Sequence, residues 1–158
     1  MNTSAFLQRI KTREDAEKLK SEIDVLLDLS YEEKGESFGS SLKSRVRFWV
    51  AEILTEELST PGVNMQEELK ILKGEIESLD ILTLILSFEP SQSALETLSL
   101  FVKKNLGEKI ILDVLYDSSI LGGAKIIYKG IYRDFSLKKI FDAEFPKIKL
   151  DLFRLIAH

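Results

Sequence analysis

The chain predicts an α+β protein, with a helical unit of three to four helices over residues 1–78 and a small mixed-sheet domain over residues 79–158. The second part should run β-α-β-β-β-α. Three observations predict this. Up to about Ser78 the apolar residues recur every three or four positions, the period of an amphipathic helix. From Leu79 they gather instead into short continuous or alternating runs of strand length. Pro61-Gly62, Pro90, Gly107 and Pro146 fall where one pattern gives way to the next.

The first helix carries Ile10, Leu19, Ile23, Leu26 and Leu27 on one face. Thr12, with Asp15 three residues on, supplies its N-cap and a capping box, and Gly35 and Gly39 require it to end near Ser30. A second helix is predicted from Ser37 to Leu58, with Phe38, Leu42, Val46, Trp49 and Ile53 as its buried stripe. Ser59 to Gly62 is a stop and a turn. Asn64 and Glu67 cap a third helix whose apolar face is Met65, Leu69, Leu72 and Ile76.

Ile81, Leu82, Leu84, Ile85 and Leu86 read as a buried strand, broken by Pro90. Ser93 and Glu96 form a capping box for a helix that reaches Asn105 and stops at Gly107. Ile110, Leu112, Val114 and Tyr116 alternate with Asp113 and Asp117 as a second strand. Ala124–Tyr128 and Ile131–Phe135 are two more strands, joined by a tight turn at Lys129-Gly130. Ser136 caps a last helix that Pro146 should end at about Phe145. The apolar tail from Ile148 to His158 fits either a strand or a helix.

Composition removes several classes of function. The 158 residues contain no cysteine, which excludes a disulfide framework, a thiolate metal site and a cysteine nucleophile. The single histidine, His158, is the final residue and is expected to be an end rather than a ligand. With one histidine, neither a histidine-rich zinc site nor a Ser-His-Asp triad can be built. The net charge of −4 opposes nucleic acid, and Lys103-Lys104 and Lys138-Lys139 sit among acidic neighbours rather than in a basic patch. Met1 to Ser4 lacks the basic flank and apolar core of a signal peptide, and Ile81–Phe88 is too short to span a bilayer. Membrane association is therefore expected only through a partner.

The stretch Tyr116-Asp117-Ser118-Ser119-Ile120-Leu121-Gly122-Gly123 resembles the signature of the C-terminal domain of the F-type ATP synthase delta subunit, the oligomycin-sensitivity-conferring protein. That family reads Val-Asp-Pro-Ser-Leu-Ile/Leu-Gly-Gly, then a short strand, a turn and Asp-Gly-Ser. Asp134 and Ser136 fall on the later Asp and Ser. Ser118 stands where the family has Pro, and Phe135 where it has Gly. The likeness covers about Leu79 to Phe145, while the first half is shorter than the family's six-helix bundle. The resemblance implies a non-catalytic stator without cofactor, peripheral on the cytoplasmic face of an energy-transducing membrane. Its C-terminal half would bind the membrane-anchored b subunit and its helical half the N-terminus of the alpha subunit.

The motif residues Asp117, Ser119, Leu121, Gly122, Gly123, Asp134 and Ser136 read physically as architecture. The glycines allow a positive φ or a close chain approach, Asp117 serves the next turn, and Ser136 caps a helix. Phe38, Leu42 and Trp49 are candidate partner-binding residues, since a unit that buries Trp49 only in part leaves a groove for an amphipathic helix. At the same spacing they also read as core. Adjacent acids such as Glu56-Glu57 and Glu67-Glu68 do not face one another on a helix and read as solvated surface. Two alternatives stand beside the stator: a stalk subunit of a vacuolar or archaeal ATPase, and a small carboxylate-dependent hydrolase. Gly35, Gly39 and Pro61-Gly62 oppose the long helix that the former needs.

Overall fold

The computed structural model describes residues 3–32, 42–58 and 64–156. Helices precede a four-stranded mixed sheet, as the sequence predicts. The chain divides into two compact units, Met1–Asp80 with Ser99–Ile111, and Ile81–Leu98 with Leu112–His158.

In the first unit, α1 (Thr3–Arg9) is a short helix that the sequence reading did not separate from the next. The chain turns at Ile10 and re-enters α2 (Arg13–Glu32). Thr12 and Asp15 form the expected reciprocal cap: the Asp15 N–H donates to Thr12 Oγ1 at 3.2 Å, and the Thr12 N–H to Asp15 Oδ2 at 3.3 Å. Gly35 and Gly39, like Phe38 and the turn at 59–62, lie outside the described residues.

The predicted second helix is interrupted. Residues 42–45 are helical, Val46 and Arg47 are not, and α3 starts again at Phe48–Leu58. The cause is Arg47. Its N–H donates to Glu22 Oε1 at 2.8 Å instead of to a carbonyl one turn back, and its guanidinium grips the same carboxylate at 2.9–3.0 Å. This bidentate pair takes the backbone donor that a continuous helix would need. The break rephases the stripe, so that Val50, Ala51 and Leu54 are buried while Trp49 and Ile53 are only partly so.

α4 (Met65–Glu77) buries Leu69, Leu72 and Ile76 as predicted. Asn64 occupies its N-cap position in extended conformation but makes no side-chain cap bond, contrary to the expected cap. α2 and α4 pack side by side, and Gln66 to Ser30, Lys73 to Asp24 and Lys20 to Glu77 connect them in antiparallel order. Phe6, Ile10, Leu19, Ile23, Leu26, Leu42, Val50, Leu54, Leu69 and Leu72 form a single core.

β1 (Asp80–Leu86), α5 (Gln92–Leu106), β2 (Ile110–Tyr116), β3 (Ala124–Tyr128) and β4 (Ile131–Asp134) follow in the expected order. α5 starts one residue before Ser93, so the cap is Ser91, whose Oγ accepts the Ala94 N–H at 3.3 Å. Its last turn carries Lys103, whose Nζ donates to the carbonyls of Leu7 and Ile10 at 2.8 and 2.6 Å and closes the end of α1. Burial holds the Lys103 ammonium below the usual lysine pKa, with Glu108 opposing the shift.

The strand order is β2-β1-β3-β4. β1 pairs antiparallel with β3, from Leu82↔Tyr128 to Leu86↔Ala124, and β3 antiparallel with β4. β1 and β2 run parallel, bracketed at one end by Asp80 N–H to Lys109 O and at the other by Asp117 N–H to Leu86 O. β1 alternates as a half-covered strand, with Leu82, Leu84 and Leu86 buried. β2, the edge strand of the sheet, does not alternate: Ile110 to Leu112 are buried, Ile111 as part of the helical core, and Leu115 and Tyr116 are exposed.

α6 (Leu137–Ile156) overturns the expected end at Phe145. Pro146 lies inside it, and the predicted strand-or-helix tail is helical through Ile156. Proline removes one amide donor from the ladder, the one that would bond the Asp142 carbonyl. At exposed Asp142 water can take that carbonyl, which makes the interruption tolerable.

Candidate functional site

The loop after β2 closes through Asp117, whose Oδ1 accepts the Ser119 N–H at 2.9 Å and its hydroxyl at 2.6 Å. Asp134, at the end of β4, repeats the device: its Oδ1 accepts the Ser136 N–H at 2.8 Å. The Ser119 hydrogen bonds hold Asp117 below the usual carboxylate pKa, and those of Ser136 do the same for Asp134. Lys125 serves both. Its Nζ is 3.8 Å from Asp117 Oδ2, and its Cα is the cross-strand partner of Asp134.

Between the two turns pass Gly122 and Gly123, with φ of +142° and +83°. A Cβ on Gly123 would lie 2.3 Å from the Phe135 carbonyl oxygen, and one on Gly122 would lie 2.8 Å from Leu137 Cδ1. Only glycine lets the two segments approach this closely. The approach is fastened by Leu137 N–H to Gly122 O at 2.9 Å and Phe135 N–H to Ala124 O at 2.8 Å. Ser136, only 3% exposed, then caps α6 by accepting the Lys139 N–H at 3.4 Å.

The motif is thus one joint that fixes where α6 leaves the sheet. Ser119, Asp134 and Ser136 meet at a cleft of about 300 Å³ that also takes in Lys125, Lys139 and Asp142. Its Asp134 already accepts the bonds of a turn. Among the described residues no group of His, Asp or Glu could hold a metal ion. Leu121 is not in the joint; it stands 76% exposed.

What the joint presents is the apolar face of α6. Leu137, Ile140, Phe141 and Phe145, spaced as one helical stripe, are 45–60% exposed. The Phe141 and Phe145 rings stack with centroids 5.3 Å apart. Scattered exposed apolar residues are ordinary, whereas a continuous stripe marks an interaction surface. The sequence reading placed all four in one helix ending at Phe145 but drew no stripe from their spacing, and spacing alone does not tell an exposed face from a core one.

Of the candidate partner-binding residues, Leu42 is fully buried in the helical core. Trp49 lies at its edge, with the Phe6 ring 6.0 Å away and the Arg9 and Arg47 guanidinium carbons 5.6 and 5.0 Å from its ring centroid. Phe38 lies outside the described residues. No described helix is long and apolar enough to cross a membrane. No family model and no curated protein matches the chain.

Proposed function

We propose that the protein is a peripheral-stalk subunit of a rotary F-type ATP synthase. In this reading it links the catalytic head, through the N-terminus of the alpha subunit, to the membrane-anchored b subunit, and performs no chemistry itself. It would work on the cytoplasmic face of an energy-transducing membrane, held there by its partners. One observation carries the reading: a helix with a continuous exposed apolar stripe is seated by a rigid, glycine-locked joint built from the residues that resemble the family's signature.

The mechanics follow from that arrangement. A stator must withstand torque without yielding, so its docking element should be fixed by backbone bonds and close packing, as α6 is fixed at Gly122 and Ser136. Covering the exposed half of four large apolar side chains contributes roughly 1 kcal/mol each. Together they amount to about 4 kcal/mol, which corresponds to roughly millimolar affinity, so in this reading the stripe is the apolar centre of a larger interface that makes dissociation slow against turnover.

The test is co-purification of the full chain with the C-terminal part of the b subunit and with the N-terminal peptide of the alpha subunit of the same organism. Capture of both supports the reading. Capture of b alone leaves the C-terminal half in the stalk and removes the helical half from the head. Capture of neither overturns it.

A further inference from the structure

We draw no further inference here: the strongest candidate, the open groove of about 850 Å³ in the helical unit lined by Leu7 and Leu100 with Lys103, Lys104, Glu75 and Lys109 at its rim, has Lys103 engaged by two carbonyls and Lys109 by Glu75, and nothing in the structure shows what covers it.

Discussion

Gly123 and Gly130 make a matched pair of probes. Both have a left-handed backbone, with φ of +83° and +77°. An alanine at either therefore carries the same conformational cost, about 1–2 kcal/mol. They differ in space: a Cβ at Gly130 meets nothing within 4 Å, whereas one at Gly123 would sit 2.3 Å from Phe135 O and 3.0 Å from Ser136 Cα. Those atoms are backbone and cannot swing aside. Relieving the clash means parting the two segments, which loses the Leu137–Gly122 and Phe135–Ala124 hydrogen bonds at about 1 kcal/mol each. Gly130→Ala should therefore lose about 1–2 kcal/mol and Gly123→Ala about 3–4 kcal/mol. Urea denaturation followed by far-UV circular dichroism measures both. If the two variants lose the same stability within about 0.5 kcal/mol, close approach at Gly123 is not what the glycine is for.

Arg47→Ala removes the grip on a carboxylate in a half-buried setting and should cost about 1.5–3 kcal/mol, read by Trp49 fluorescence during unfolding. Asp134→Asn tests the acid side. The folded-state pKa of Asp134 lies below its unfolded value of about 3.9, so its stabilisation is present above that pH and is lost as pH falls through the folded pKa. The variant should be less stable than the parent near neutrality, and the gap should close below about pH 4; a gap that persists into strong acid would remove the carboxylate from the account. Lys103→Met leaves the Leu7 and Ile10 carbonyls without their donor and should cost about 1–3 kcal/mol, with faster amide exchange in α1 as the sign that the loss is local. Phe141→Glu should leave stability within about 0.5 kcal/mol while abolishing capture of the b subunit. Unchanged capture would take α6 out of the interface.

Much of the fold was legible because local chemistry and tertiary structure agree. The Thr12–Asp15 box, the stop at Gly107, the hairpin at Lys129-Gly130 and the cap at Ser136 depend on neighbours within a few residues. The architectural part of the site was legible for the same reason: Asp117 serves Ser119 two residues away. What the sequence hid depends on distant partners. The break at Arg47 is caused by Glu22, twenty-five residues back along the chain, and nothing near Arg47 announces it. The persistence of helix through Pro146 depends on the site being exposed, which a terminator rule ignores. The stripe on α6 was overlooked for another reason: its four residues were all placed in the predicted helix, but helical spacing alone does not say whether a face is covered.

The two-residue turn at Lys129-Gly130 has a reach well beyond the hairpin it closes. It sets Tyr128 opposite Ile131 and hence Lys125 opposite Asp134. One residue inserted there would slide β4 by a single position and exchange its two faces. Asp134 would leave the side of Lys125, and the bond it offers Ser136 would point away from the glycine pair. The helix that begins at Leu137 would then set out in a new direction. Length variation should accordingly be harmless at many exposed bends but ruinous at this one, where the loop acts as the compass for everything after it.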